Sequence, residues 1–236
     1  MDKKSEEISV KFTGGKDSTL TAFLMCKEFK RIHLLTFTHY LTTHSERAKV
    51  NAIKLKDIFG EDRIVHETID IDDLYKKILT SEYLNNLIKY KTFLAACVGC
   101  GACKLAMHTR TIIYNIENNI KFTCDGINQT GFDQSQQRWI MEEIKKFYKE
   151  YDINYFCPVY DIPRTDLELF KLGLLSDKPT FFYGEQPGCY GSNFHNIYLR
   201  CYYLPVYGRE KYEKVSLRYW REKMDVCRKF IKEYLR

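Results

Sequence analysis

The sequence contains no long apolar run, and this absence excludes proteins that cross a membrane on a helix. No stretch approaches the roughly 18 uninterrupted apolar residues that such a span requires. The first residues, MDKKSEEIS, are charged and lack the apolar region of a secretory signal. We therefore expect a soluble, cytoplasmic protein with no membrane partner.

Strong charge of one sign and internal repetition are also absent. The 236 residues carry a formal net charge of +6, which permits contact with nucleic acid or nucleotides without requiring it. No repeat, low-complexity tract or long linker divides the chain. We expect one domain at residues 1–178, with a loop and helix extension at residues 179–236 packed on it.

The chain does not have the cysteine usage of a disulfide scaffold. Its nine cysteines are an odd number, and no export signal accompanies them, so metal or sulfur chemistry is the better explanation. The stretch AACVGCGACKLAMH places Cys97, Cys100 and Cys103 at C-x₂-C-x₂-C spacing. Thiols this closely spaced indicate a metal site. The simpler alternative is that the three cysteines are small residues of the core.

Apolar runs alternate with segments of helical periodicity, which favours an α/β fold. The predicted strands are Ile8–Phe12, Arg31–Tyr40, Arg63–Ile71, Ile120–Cys124 and Asn154–Tyr160. The predicted helices are Ser18–Lys30, Glu46–Ile58, Asp72–Leu94, Lys104–Asn118, Gln134–Tyr151, Thr165–Leu172 and a basic C-terminal helix, Glu213–Leu235. This order predicts a doubly wound, mostly parallel sheet that binds ligands at the carboxyl ends of its strands.

The turn after the first predicted strand is typical of an anion site. In VKFTGGKDSTLTA, Gly14 and Gly15 let the backbone approach a ligand, and the helix start offers unpaired N–H groups. Ser18 and Thr19 add hydroxyl donors. Lys16 can neutralise phosphate charge, and Asp17 can hold Mg²⁺ or orient the loop. The turn matches neither the Walker A loop nor the dinucleotide fingerprint. The simpler alternative is a Gly-Gly turn capped by Asp17.

This turn resembles the PP-loop, usually Ser-Gly-Gly-x-Asp-Ser, of the ATP pyrophosphatase superfamily, with Thr13 in place of the first Ser. The resemblance implies a Rossmann-like PP-loop fold that binds ATP with Mg²⁺. It also implies attack on the α-phosphate of ATP, with an adenylated substrate and pyrophosphate as products. The residues implied to bind ATP in the loop are Thr13, Gly14, Gly15, Lys16, Asp17 and Ser18, with Lys16 and Asp17 also catalytic.

A second segment, FTCDGINQTGFD, is similar to the superfamily's other conserved strand and loop. The similarity implies that Gly126, Asn128 and Asp133 line the ATP site opposite the first loop. Gln129 and Thr130 stand where acids are often found, which departs from the family pattern. The family seats adenine at the end of the second strand, here Thr36–His39, so Thr38 and His39 are candidates for that contact.

Two kinds of relative within the superfamily use clustered cysteines. Iron–sulfur-dependent tRNA thiolases hold a [4Fe–4S] cluster on three cysteines and leave one iron open to carry sulfur. The 7-cyano-7-deazaguanine synthases hold Zn²⁺ on four, but their cluster follows the last ATP-binding segment. Here the cluster precedes the Asp125–Gly126 segment, and this position favours the sulfur-transfer type. Two alternative functions stay open. One is nitrogen transfer by an enzyme with structural Zn²⁺, and the other is a nucleotide-binding redox sensor that turns over no substrate.

The remaining cysteines divide into candidates for chemistry and candidates for the core. Cys189, in the loop EQPGCYGS, corresponds to the thiol that attacks or carries sulfur in cysteine-dependent members of the superfamily, unless it is an incidental loop residue. A fourth metal ligand is expected from Cys124, Cys157, Cys189 or Cys201. Apolar patterns place Cys26, Cys201 and Cys227 in the core. His108 and Arg110 follow the cluster on its helix, where they either face the substrate, lie in solvent, or support the residues that contact the substrate.

The acceptor of the activated group stays undecided between tRNA and a small molecule. The basic C-terminal helix, with Tyr212, Tyr219 and Trp220 interleaved, is the one feature that suggests RNA, and aromatic residues that pack in the core are the alternative. A sulfur donor is the other expected partner, and a homodimer is a possible assembly.

The metal content of the protein tests the three-cysteine prediction. We expect anaerobically purified protein to be brown, to contain iron and sulfide, and to bleach in air, because three thiolates suffice for an open cubane. Structural zinc is almost always closed by four protein ligands. Elemental analysis and the visible spectrum measure this directly. A colourless protein with one tightly held zinc, active in air, contradicts the prediction.

Overall fold

The computed structural model describes residues 6–43, 46–90, 99–129, 133–174, 188–189 and 197–236. Its strands are β1 (Glu7–Lys11), β2 (Arg31–Thr38), β3 (Thr42–Thr43), β4 (Ile64–Asp70), β5 (Phe122–Asp125), β6 (Asn154–Phe156) and β7 (Gly188–Cys189). Its helices are α1 (Lys16–Glu28), α2 (Glu46–Phe59), α3 (Asp72–Thr80), α4 (Tyr83–Lys89), α5 (Gly99–Glu117), α6 (Arg138–Lys149), α7 (Thr165–Lys171) and α8 (Leu204–Tyr234). In the described part of the chain, no helix combines the length and apolar character of a membrane span.

Five strands form a wholly parallel sheet in the order β4-β2-β1-β5-β6. A separate antiparallel ribbon pairs β3 with β7. Alternate residues of β1 face opposite sides: Ile8 and Val10 pack in a cluster with residues of α1 and α2, whereas Lys11 contacts His108 of α5. Helices α3, α5, α6 and α8 pack together in a second cluster. The predicted doubly wound α/β fold is therefore confirmed.

Several helix starts differ from the predicted ones, and the segment Asp72–Leu94, predicted to be mostly helix, contains an interruption. Helix α5 begins at Gly99, five residues before the predicted Lys104, so Cys100 and Cys103 lie in its first turns. The predicted helix Asp72–Leu94 is interrupted at Glu82, where a left-handed backbone (φ 55°) ends one helix and starts the next. Local helical propensity accounts for neither feature.

Helix α8 contributes its aromatic residues to the core. Tyr219 and Trp220 have no exposed surface, and the Trp220 indole N–H donates to Gln134 Oε1 at 2.7 Å. Tyr212 is also buried. Two alternatives were predicted for these rings, stacking on RNA and packing in the core, and the structure shows that they pack in the core. The division of the chain at residue 178 stays a prediction.

Many cations of the same helix pair with carboxylates. Arg221 contacts Glu143 of α6 at 2.9 Å, and Arg228 contacts Glu150, directly after α6, at 2.6 Å. Arg218 pairs with Glu222 within α8 at 3.2 Å. These ion pairs reduce the positive charge that α8 presents to an anionic partner.

Truncation of Trp220 tests this packing. We expect Trp220→Ala to lower the free energy of unfolding by about 3–5 kcal/mol, because truncation of a fully buried indole leaves a cavity and removes the hydrogen bond to Gln134. The control is Val206→Ala. Val206 precedes the break in helical backbone at Gly208, its side chain is 57% exposed, and the expected change is within about 0.5 kcal/mol. Urea denaturation measures both. A loss below about 1 kcal/mol for Trp220→Ala contradicts the packing.

Candidate functional site

The segment between β1 and α1 is a glycine loop held in shape by α2. Gly14 has φ +73°, and a Cβ added there would lie 2.5 Å from the Ala48 Cα. Asn51 Nδ2 donates to the Gly14 carbonyl at 2.7 Å. Glycine is required at position 14 because both the backbone angle and the approach of α2 exclude a side chain.

Hydroxyl groups converge on this loop. Thr13 Oγ1 and Ser18 Oγ lie 3.1 Å apart, the Gly15 N–H donates to Thr13 Oγ1 at 3.3 Å, and Ser18 Oγ donates to the Gly15 carbonyl at 3.0 Å. Within the described residues, the buried Thr19 hydroxyl has no hydrogen-bond partner. Backbone N–H groups, hydroxyl donors and the amino end of a 13-residue helix together fit a phosphate.

The second predicted segment touches the first. A Cβ added at Gly126 would lie 2.5 Å from the Ser18 backbone nitrogen, so the turn after β5 lies directly against the first turn of α1. Asn128 lies in the same turn, and its side-chain amide donates to the Ile162 carbonyl at 2.5 Å. Asp133 instead caps the short turn Gln134–Gln136 by accepting from the Ser135 N–H at 2.8 Å.

The loop carboxylate Asp17 is held by a residue that the sequence analysis did not select. Thr165, at the start of α7, donates a hydrogen bond to Asp17 Oδ1. Burial raises the pKa of Asp17, while the Thr165 hydrogen bond and the Lys16 charge oppose that shift. The only sign of Thr165 in the sequence is a Thr-Asp pair at a helix start. Such pairs are too common to indicate a partner for Asp17.

The end of β2 leads to the thiol cluster. The Thr38 carbonyl accepts from the Ile71 N–H at 2.9 Å. His39 follows, and its Nε2 lies 3.4 Å from Cys103 Sγ. Because His39 Nδ1 accepts the Leu41 N–H at 3.3 Å, a neutral ring carries its proton on Nε2 and donates it to the sulfur. Burial lowers the pKa of His39, which favours this neutral form.

Cys100 and Cys103 lie one helical turn apart at the start of α5, and both are partly exposed. A Cβ added at Gly99 would be 3.5 Å from the Tyr75 hydroxyl. Burial raises the pKa of Tyr75, with smaller contributions from the two thiols.

Cys97 lies outside the described residues. Within those residues no group of three or more His, Cys, Asp or Glu side chains could hold a metal ion.

The β3–β7 ribbon brings the backbone of Cys189 to the same region. Cys189 pairs with Thr42, and the Thr42 N–H donates to the His39 carbonyl at 2.8 Å. The ribbon therefore connects the loop that carries Cys189 to the turn whose imidazole contacts Cys103. Sequence spacing gives no indication of this proximity, since the two cysteines are 86 residues apart (189 − 103).

The other cysteines lie in different surroundings. Cys124 is fully buried in the core, and burial raises the pKa of its thiol well above the usual value. Cys26 and Cys227 are buried as expected, whereas Cys201 is exposed, so its assignment to the core was wrong. Cys157 lies at the end of β6, where its thiol donates to Asp125 Oδ1 at 3.2 Å.

A buried charged cluster lies beneath the loops, and the sequence analysis missed it. Lys11 Nζ lies 2.5 Å from Asp125 Oδ2 and 2.9 Å from His108 Nε2. His108 has no exposed surface and its Nδ1 lies 3.0 Å from the Tyr148 hydroxyl, so it faces neither a substrate in solution nor solvent. Arg110 pairs with Glu117 at 3.3 Å.

No protein-family model matches the chain, and no curated protein matches it in sequence. A predicted subunit of tRNA methyltransferase from Methanocaldococcus jannaschii is similar in structure, at 16% identity and a TM-score of 0.49, over 83% of this chain and 88% of that one. The U34-tRNA thiolase NcsA from Methanococcus maripaludis with its [4Fe–4S] cluster is also similar, at 15% identity and a TM-score of 0.47, over 96% of this chain and 74% of that one. A third similar structure is NMN synthetase from Francisella tularensis, at 16% identity and a TM-score of 0.49, over 94% of this chain and 84% of that one.

The likeness is one of fold. At these identities and TM-scores the likeness extends no further than the fold, and the resemblance of the first loop to the PP-loop stays a prediction from the sequence.

The buried His108 predicts a loss of stability in acid. Burial, followed by the charges of Lys11 and Lys104, lowers its pKa well below 6.5. The unfolded chain therefore takes up a proton as the pH falls below about 6.5, and the folded chain does not, so unfolding is favoured. Between pH 7.5 and 5.5 we expect His108 to account for about 1 kcal/mol of lost stability.

Chemical denaturation at the two pH values measures this loss. The matched variant His108→Gln removes the titrating group, so its stability should fall by about 1 kcal/mol less than that of the parent chain. His39 and His66, whose pKa values are also lowered, are present in both proteins and cancel in the comparison. Equal pH dependence of the two proteins would show that His108 is not held neutral.

Proposed function

We propose that the chain is an ATP-dependent adenylating enzyme of the PP-loop type. A carbonyl oxygen of the substrate attacks the α-phosphorus of ATP, the bond to the β-phosphate breaks, and pyrophosphate leaves. The observation that carries the proposal is the glycine loop at the end of β1, where Thr13 and Ser18 hydroxyls and the helix start face one another. Gly126 lies against the same turn and completes the site from the neighbouring strand.

Each loop residue has a role that follows from its chemistry. Gly14 and Gly15 present backbone N–H groups to the phosphates, with the Thr13 and Ser18 hydroxyls beside them. Lys16 offsets the charge of the triphosphate. Asp17, whose Oδ1 accepts a hydrogen bond from Thr165, would hold Mg²⁺, since hard cations prefer carboxylate oxygen.

The nucleoside end of ATP lies toward the neighbouring strands. Thr38, at the end of β2, contacts the adenine side, and Asn128, after β5, lies on the opposite side of the site. Carboxyl ends of parallel strands meet at one edge of a sheet, which favours this arrangement.

We further propose that the second step is sulfur transfer at the thiols of α5. Hydrosulfide from the sulfur donor attacks the activated carbon, so that a C–S bond forms, the C–O bond to the adenylate breaks, and AMP leaves with the oxygen. Cys100 and Cys103 suit this role because they are adjacent on one helix, partly exposed, and reached by a histidine donor. Cys97 and Cys189 are the further thiols, the latter on the ribbon that pairs with Thr42.

The spacing of Cys97, Cys100 and Cys103 in the sequence suits a [4Fe–4S] cluster, which these three thiols would hold. Such a cluster supplies an iron position that can hold hydrosulfide. His39 would then donate a hydrogen bond to a ligating sulfur, as residues around metal centres commonly do. If Cys189 closes the set as a fourth ligand, structural zinc and nitrogen transfer become the alternative.

The acceptor is the least determined part of the proposal. tRNA and a small carbonyl compound both fit an adenylating site, and the core position of the α8 aromatics removes the feature that favoured RNA. Filter binding of tRNA at increasing salt separates the two, since contacts to phosphates weaken steeply as salt rises.

Replacement of Ser18 tests the ATP site. We expect Ser18→Ala to weaken Mg²⁺–ATP binding by about 10- to 100-fold, because hydrogen bonds to charged groups contribute roughly 1.5–3 kcal/mol each. Thr21→Val is the matched control, since that hydroxyl bonds the Asp17 carbonyl inside the same helix. Isothermal titration measures binding. Chromatography of the nucleotides after incubation with tRNA or metabolite extract should show AMP and pyrophosphate, and formation of ADP and orthophosphate would refute the proposal.

A further inference from the structure

Lys11 and Asp125 are the last residues of the two central strands, and they lie side by side in the parallel register of β1 and β5. Their side chains are 9% and 6% exposed, and Lys11 Nζ is 2.5 Å from Asp125 Oδ2. An ion pair this deep in a sheet gains little net stability, because desolvation of both charges offsets their attraction. Its position, immediately before the two proposed ATP loops, points to a different role.

The Asp125 carboxylate collects donors from several elements at once. The Tyr155 hydroxyl of β6 donates to Oδ2 at 2.8 Å, and the Cys157 thiol donates to Oδ1 at 3.2 Å. The Ile127 N–H donates to Oδ1 at 3.2 Å, which closes the turn around Gly126. One carboxylate therefore joins the ends of β1, β5 and β6.

The turn that Asp125 closes is the one that contacts the phosphate loop. Gly126 lies so near α1 that an added Cβ would be 2.5 Å from the Ser18 nitrogen and 2.6 Å from the Asp17 carbonyl carbon. On the other side of the pair, Lys11 is followed by Phe12 and then by Thr13 of the loop. A shift of Asp125 relative to Lys11 would change the spacing of the two loops directly.

We propose that the Lys11–Asp125 pair is a positioning device that holds the turn Gly126–Asn128 against the first turn of α1. It arranges both loops before the nucleotide arrives, and this reduces the ordering cost of binding. That the nucleotide is ATP rests on the proposed function; the coupling of the two turns does not.

The same two strands provide a matched control. Ser9 and Thr123 pair two residues earlier in the register, on the same face of the sheet, with Ser9 Oγ donating to Thr123 Oγ1 at 2.8 Å. Both side chains are fully buried. This pair equally joins β1 to β5, but it lies farther from the loops.

The experiment compares two double variants with the parent chain. The double variant Lys11→Met, Asp125→Asn, called here the charge-free variant, removes both charges and keeps the approximate shapes of the two side chains. No unpaired buried charge is left in it. Ser9→Ala with Thr123→Val removes the control pair. Thermal melting, hydrogen exchange of the apo proteins, and titration with Mg²⁺ and α,β-methylene-ATP are measured on all three.

We expect the charge-free variant to exchange faster at the Ile127 amide and in the first turn of α1, and to bind the analogue about tenfold more weakly. The control variant should match the parent chain in both measurements. The two double variants should have comparable melting temperatures. Unchanged exchange and unchanged affinity in the charge-free variant, or equal effects in both variants, would overturn the proposal.

Two further outcomes separate the hypotheses. Faster exchange in the charge-free variant, with no nucleotide binding by the parent chain, would support the coupling and refute ATP as the ligand. If the charge-free variant does not fold, Tyr155→Phe removes one donor from the same carboxylate without changing charge. Its expected effect is about threefold weaker binding of the analogue with faster exchange at Ile127, and no change in either would overturn the proposal.

Discussion

Close backbone contact at two glycines is the constraint on which the rest of this site depends. Gly14 lets α2 approach the first loop, and Gly126 lets the turn after β5 approach the first turn of α1. At each point a Cβ would lie 2.5 Å from backbone, a distance that a side chain cannot occupy. The two loops and the amino end of α1 are therefore held together by backbone contacts rather than by bulky side chains. Such an arrangement suits a ligand recognised mainly by its phosphates.

The face of the sheet beneath α5 is polar, and this determines how the thiol helix is held. Lys11 contacts His108 of α5, and His33 contacts Tyr114 of the same helix at 2.9 Å. Buried polar groups are stable only when their hydrogen bonds are made, so these contacts restrict α5 to one position on the sheet. Close packing of α8 reinforces it, since a Cβ at Gly101 would be 2.8 Å from the Tyr219 ring. The cysteines at the start of α5 thus lie on a well-supported element.

Sequence reasoning was most successful where one short stretch contains all the information. The strand, the glycines, the hydroxyls and the following helix of the first loop are adjacent in the chain, and the structure places them together. It was least successful at the start of α5. The predicted start of α5 at Lys104 was five residues late, and close contact with Tyr219 of α8 is what requires a small residue at Gly101.

The alternation of strands and helices, the parallel sheet and the phosphate loop were determined by the sequence itself, because each depends on periodicity or on neighbouring residues. Only the tertiary structure decided that Lys11 faces Asp125, that Thr165 holds Asp17, and that His39 meets Cys103. Each of these pairs joins residues from different elements. The partner of a buried charge or thiol depends on strand order and helix packing, and no local pattern in the chain specifies those.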